Sequence, residues 1–384
     1  MRVLSILTSN AFYGKERSNI EVYQLLKKEG HDVHVLISKD APIAMVEAML
    51  GLTLHTVSYP KRHSSSCSLL KYAFHYFEVN IQAFLLIKRL NPDVLFFCSE
   101  LNFYDLYPVL RLVRKKMIYR IGDAPAFTGL SFYRYNSWVW YKFVVPKVHT
   151  FICISQYIKQ TVEEVGRESS HDVIIYNYPP KRNEHKIINE AYLYENLSSH
   201  NIAFGYIGQI NQQKGVDLLV KSASKTLEKY PQVLFLIAGS LSYDQGFALT
   251  IKSMIPEKYR DRIVFLGEIS DIKLFFKHIK VLCVPSVKQE PLGNVLVEAK
   301  ANSCPCIIFP TGGMPELVRH KVDGYICQYA DMKSLLDGIS YFIEHKDLMD
   351  EYGIQSFESI QELGINRESF ECKWREVFEK LQRN

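Results

Sequence analysis

Two acids eight positions apart bound the segment Glu290-Pro291-Leu292-Gly293-Asn294-Val295-Leu296-Val297-Glu298, which follows the apolar run Val281 to Val284 and then Pro285-Ser286. Pro291 and Gly293 predict a tight entry into a helix. The free amides at that entry, around Leu292, Gly293, Asn294 and Val295, and the positive end of the helix dipole suit a pyrophosphate. A carboxylate at Glu290 beside a bound anion is unfavourable on electrostatics alone, so it needs hydrogen bonds from something neutral, and sugar hydroxyls fit. Glu298, about two helical turns further on, reaches the adjacent hydroxyls of a ribose. The ordinary alternative is a first-turn acid that answers the dipole and a second acid paired on the surface.

Two more loops carry the same kind of chemistry. Gly208-Gln209-Ile210-Asn211-Gln212-Gln213-Lys214-Gly215 follows the run Ile202 to Ile207. Its glycines allow close backbone approach, and Lys214 offers a point charge to a phosphate; a strand-to-helix turn with a solvated lysine is the competing reading. Thr311-Gly312-Gly313-Met314-Pro315-Glu316 follows Cys306 to Phe309 and again brings backbone close to a crevice. No D-x-D pair stands ready to hold Mg²⁺ beside a pyrophosphate, so neutralisation is expected from lysine and helix ends, with no metal and no cofactor.

Such loops work when strands aim them at one edge. Apolar, β-branched runs recur at Val3 to Leu7, Val33 to Ile37, Val94 to Phe97, Met117 to Ile121, Phe151 to Ile154 and Val173 to Tyr176. They recur again at Ile202 to Ile207, Val233 to Ala238, Ile263 to Leu266, Val281 to Val284 and Cys306 to Phe309, with helix-compatible segments between. This is the α/β pattern of two doubly wound, Rossmann-like parallel-sheet domains, which bind ligands beyond the carboxyl ends of their strands. The rhythm breaks from Asn177 to His200, at Pro179, Pro180 and a polar run. The expected organisation is a first domain over 1–178, a linker over 179–200, a second domain over 201–365 and a helix over 366–384. Phe370, Trp374, Val377, Phe378 and Leu381 recur at helical spacing there, so the helix docks across the domains.

Charge separates the halves: residues 1–180 carry 21 Lys and Arg against 15 Asp and Glu, the remainder 25 against 26. Clusters at Lys61-Arg62 and at Arg111, Arg114, Lys115 and Lys116, with an aromatic segment containing Phe132, Tyr133, Trp138, Trp140 and Tyr141, suit contact with an anionic membrane surface; the alternative is packed aromatics and solvated charges. No apolar stretch reaches the ~18 residues of a membrane span, and Arg2 to Leu7 reads as a strand rather than a signal core. Cytoplasmic location, at the inner face of the cell membrane, is the expectation. Cys98, Cys153 and Cys283 lie in apolar runs, and Cys304 and Cys306, placed on one face of a strand, lack the second pair a metal site needs; all read as buried thiols. No recognition module for nucleic acid is present.

The loops together resemble the second domain of the retaining glycosyltransferase family 4, whose fold is called GT-B. That family carries G-R-x(4)-K-G, then E-x(7)-E continuing E-A-x-A-x-G-x-P, then G-G-x-x-E and a D-G-x-L-like strand. The counterparts are Gly208 to Gly215; Glu290 and Glu298 with Ala299, Ala301 and Pro305; Gly312, Gly313 and Glu316; and Asp323-Gly324-Tyr325. In the first half Gly14 resembles the family's glycine loop near the donor phosphate, Gly30-His31-Asp32-Val33 its second-strand entry, and Tyr176-Asn177-Tyr178-Pro179 its end-of-domain turn. Two positions depart: Gln209 replaces the arginine of the phosphate loop, and Gly122 replaces the histidine before Asp123, with Arg120 one strand alternation away.

The resemblance implies two domains facing across a cleft and transfer of a hexose from a UDP or GDP sugar to a saccharide acceptor, lipid-linked, in cell-surface polysaccharide assembly. It implies retention without a protein nucleophile, the leaving diphosphate helping to deprotonate the acceptor. Glu290 then orients the sugar, Glu298 holds the ribose, Asp123 lies near the reacting hydroxyl, and Lys214, Gly14, Gly208, Gln209 and the Leu292 to Val295 backbone hold the donor. The rival readings are a non-catalytic sugar-nucleotide binding module and a sugar-nucleotide epimerase on the same architecture.

Overall fold

Strands covered by helices on both faces must be apolar throughout, and the runs above become such strands. The computed structural model describes residues 1–9, 12, 14–58, 66–122, 142, 144–164, 166, 167, 169–179, 202–241 and 244–383. Within these residues the strands form two sheets in which every pairing is parallel. The first contains β1 (Arg2–Leu7), β2 (Asp32–Ser38), β3 (Thr53–Val57), β4 (Val94–Phe97), β5 (Lys116–Ile121), β6 (Thr150–Cys153) and β7 (Val173–Ile174), in the order 3-2-1-4-5-6-7. The second contains β8 (Ile202–Ile207), β9 (Val233–Ala238), β10 (Ile263–Gly267), β11 (Val281–Val284), β12 (Cys306–Ile308) and β13 (Gly324–Ile326), in the order 10-9-8-11-12-13. Both orders reverse direction at their first strand, which makes each sheet doubly wound with a switch point there.

Contacts divide the chain into two compact units, Met1–Tyr176 with Glu371–Asn384, and Asn177–Phe370. The second has its own core of β8, β9 and β11 side chains, such as Phe204, Phe235 and Cys283, under the helices Val216–Lys229 and Met332–Glu344. The first is completed by the helix Arg367–Arg383. Trp374 of that helix is fully buried with its ring 5.5 Å from Phe96 of β4, Arg375 pairs with Glu29 at 2.9 Å, and Lys116 Nζ donates to Leu381 O at 2.6 Å. The linker expected over 179–200 lies outside the described residues apart from Pro179.

Two details differ from the sequence reading. β3 was not legible, because Thr53-Leu54-His55-Thr56-Val57 is an edge strand with only Val57 buried, so it lacks the continuous apolar run of its neighbours. Cys304 and Cys306 are both buried, but Cys304 precedes β12: Ser303 at φ +54° and Pro305 delay the strand until Cys306. Among the described residues no helix is long and apolar enough to cross a membrane.

Candidate functional site

The switch point of the second sheet lies between β8 and β11, so the loops leaving these strands share one edge. After β8, Asn211 Oδ1 accepts from Lys214 N at 3.0 Å and closes a single 3₁₀ turn, Gln212–Lys214. Gly215 at φ +67° then turns the chain into the helix Val216–Lys229; a Cβ here would collide with Pro285 O. The two loops therefore meet backbone to backbone, and Val287 N and Lys288 N both donate to Gln213 O, at 3.0 and 3.2 Å.

This contact brings Lys214 Nζ onto Glu290 Oε1, and Ser286 Oγ donates to the same oxygen at 3.0 Å. The loop after β12 locks the arrangement. Thr311 Oγ1 donates to Ser286 O at 2.9 Å, Gly313 N to Glu290 O at 2.7 Å, and Gly312 N to Gln289 Oε1. Gly312 sits at φ +61°, where an added Cβ would overlap the Glu290 backbone. Gly312→Ala is therefore expected to cost more than the ~1–2 kcal/mol of a left-handed backbone alone, and to displace Glu290. Thermal unfolding reads the first effect and nucleotide binding the second.

Within the protein, Glu290 is held by a cation and a hydroxyl. Its side chain is 14% exposed and that of Lys214 29%, so the half-buried carboxylate draws the nearest ammonium. Below them Tyr206 donates to Gln209 O at 2.6 Å; burial and then the Glu290 charge push its pKa well above the usual phenol value, so it stays a protonated donor. Gly208 follows β8 and donates its N–H to Ala238 O at 3.1 Å.

Glu290 lies ahead of the helix Asn294–Ala301, so its spacing to Glu298 is loop plus one turn rather than two helical turns. Leu292 is buried, Gly293 precedes the first turn at φ +84°, Val295 is half-buried, and Asn294 Oδ1 accepts from Asn177 Nδ2 at 2.8 Å. Glu298 is half-buried within the helix. One residue of this region escaped the sequence reading. Lys300, in the last turn of the same helix, is fully buried against Asp323 at 2.8 Å and also donates to Leu317 O, while Arg319 Nε holds the other oxygen of Asp323 at 2.8 Å. Burial lowers the pKa of Lys300, and the Asp323 bond opposes that.

In the first unit Gly14 opens the helix Gly14–Lys28, and Gly122 follows β5. Asp123 lies outside the described residues, as do Lys61, Arg62, Phe132, Tyr133, Trp138, Trp140 and Tyr141. Arg120, one strand alternation from Gly122, is engaged within the first unit. It is buried, donates to Ser18 Oγ at 3.0 Å and Asn19 Oδ1 at 2.8 Å, and lies over the Trp374 ring; burial lowers its pKa to about 10, which leaves it charged at neutral pH.

Comparisons agree over both units. The family model described as Glycosyltransferase Family 4 matches residues 13–178, and that described as Glycosyl transferases group 1 matches residues 195–358. The chain is 23% identical over 362 residues to an uncharacterized glycosyltransferase of Haemophilus influenzae, covering 92% of this chain and 93% of that one. It is 25% identical over 184 residues to CapM, a capsular polysaccharide biosynthesis glycosyltransferase of Staphylococcus aureus, over 48% and 47% of the two chains. Anabaena HepE in complex with UDP has the same fold, with a TM-score of 0.79 at 18% identity over 100% of both chains. With both family models matched in order along the two doubly wound units, the chain belongs to the family 4 glycosyltransferases of GT-B fold.

Proposed function

We propose that this glycosyltransferase is a retaining hexosyltransferase that takes its sugar from a UDP or GDP donor and passes it to a lipid-linked saccharide during cell-surface polysaccharide assembly. The observation that carries the reading is the cluster of Lys214, Glu290 and Ser286 at the switch point, where a doubly wound sheet binds a nucleotide. The UDP bound to HepE and the capsular role of CapM favour the same donor and product classes.

In this mechanism the acceptor hydroxyl attacks the anomeric carbon on the face from which the diphosphate leaves. The bond from that carbon to the β-phosphate oxygen breaks, and the departing phosphate takes the acceptor's proton. Lys214 and the amides opening the helix Asn294–Ala301 stabilise the charge gathering on the β-phosphate. Glu290 accepts from the sugar hydroxyls and Glu298 from the ribose, with Gly14 at the donor phosphate and Asp123 at the reacting hydroxyl. Neutralisation by lysine and helix end requires no metal ion and no cofactor. A lipid-linked acceptor brings the enzyme to the inner face of an anionic membrane.

The test incubates the purified protein with UDP- and GDP-hexoses, with and without lipid extract, in EDTA, and measures nucleoside diphosphate release. Extract-dependent release from one donor is expected. Nucleotide binding without release would point to a non-catalytic module, and an isomerised free sugar nucleotide formed without acceptor to an epimerase.

A further inference from the structure

Strands of the first sheet run parallel, so every segment that enters a strand lies at the end opposite the one where Gly14 and Gly122 emerge. The segments entering β5, β6 and β7 line an open hollow of about 570 Å³ there. It is separated from the carboxyl edge by the length of β5, roughly 20 Å. Its lining includes five cationic side chains, Arg114, Lys115, Lys116, Lys147 and Arg167, and none of its described lining residues is acidic.

How these cations are held decides what the cavity can do. Arg167 is already neutralised: it forks onto Asp172 at 2.8 and 3.0 Å and uses the same guanidinium to fix Val145 O and His149 O. Lys115 and Lys116 are held by neutral oxygens, Asn91 Oδ1 at 2.7 Å and Leu381 O at 2.6 Å, so their positions are fixed while their charges stay uncancelled. Arg114 and Lys147 are exposed beside them. The rings of His149 and His171 stack at 5.5 Å and 18°, two further groups able to donate. Oriented cations held by neutral oxygens along one wall are an arrangement that binds an oxyanion.

We infer that this cavity is a phosphate-binding site, separate from the donor site, that takes a phosphate group carried either by a soluble metabolite or by a lipid headgroup. The inference stands on the first unit alone and does not depend on the donor assignment. Burial, then His171, Lys116 and Arg167, lower the pKa of His149, against a smaller opposing pull from Asp172. A bound anion raises it again, so binding tightens as pH falls through and below the ordinary imidazole value of 6.5.

Three titrations test the proposal on the full chain: sulfate, which keeps its charge through that fall in pH; pyrophosphate; and vesicles containing a phosphatidic acid fraction. The variant is Arg114→Ala with Lys147→Ala, and the control is Lys333→Ala with Lys346→Ala, which removes the same charge from the second unit. The cavity variant is expected to weaken sulfate binding roughly tenfold or more, with an unchanged thermal midpoint, unchanged UDP binding and the control at wild type. Loss of pyrophosphate binding alongside that of sulfate identifies a soluble ligand; loss of vesicle binding alongside that of sulfate, with pyrophosphate binding unchanged, identifies a headgroup. Equal weakening in variant and control, or wild-type affinity in the cavity variant, overturns the site.

Discussion

Glu290→Ala and Lys214→Met will each lower transfer about 10²- to 10³-fold, the range found when one preorganised group facing developing charge is removed. The two losses will not multiply. The carboxylate and the ammonium share a contact, and Ser286 Oγ bonds the same carboxylate oxygen, so removing either partner disorders the other. The double variant is therefore expected close to the worse single one, as measured by kcat/KM for diphosphate release. For Lys214→Met the loss should fall mainly in kcat, because the charge it answers grows as the bond to phosphate breaks. Wild-type turnover in Glu290→Ala would remove that residue from the site, and a multiplicative double variant would mean that the contact is incidental to catalysis.

Asp323→Asn is the largest stability change expected. Lys300 and Asp323 have no exposed side-chain surface, and a buried ion left without its partner costs about 3–5 kcal/mol. Taking 3 kcal/mol, the second unit should melt roughly 6–12 °C lower. Lys300→Met should cost less, because Asp323 keeps Arg319 through Nε at 2.8 Å and the backbone N–H at 2.9 Å. The pH dependence separates the two. In Asp323→Asn the unfolded chain carries Lys300 protonated while the folded chain favours it neutral, so the folded state binds fewer protons and stability rises with pH. The deficit should narrow as pH climbs from neutral toward the free-lysine value of 10.5. Lys300→Met has no proton to lose at that position, so its deficit should not narrow; a deficit in Asp323→Asn that does not narrow would mean that the lysine remains charged without its partner.

These residues show why sequence carried the argument as far as it did. Central strands such as β4 and β11 are buried on both faces and appear as unbroken apolar runs, whereas the edge strand β3 mixes Thr and His with Leu and Val. The three loops could be placed because position after a strand is a one-dimensional property. Their pairing could not. Lys214 and Glu290 meet across 76 positions through a backbone contact at Gly215 and Pro285, which no local pattern encodes. Lys300 was missed for a related reason: in a helix, a lysine reads as solvated, and only the fold supplies Leu317 O and Asp323 from further along the chain. The cavity of the first unit draws on three segments, of which only Arg114, Lys115 and Lys116 stood out as a cluster; Arg111, from the same cluster, is not among its lining residues.

Trp374 also sets the order in which the molecule can be finished. A ribosome releases all seven strands of the first sheet before it makes any of Asn177–Phe370, and only then the residues from Glu371 that bury Trp374 against Phe96. The domain begun first is thus completed last. Until the tail emerges, the nascent first unit exposes the hollow that this indole fills, and its half-built core must wait through the synthesis of an entire second domain. The span in which a chaperone would have reason to hold this chain is fixed by that interval of translation.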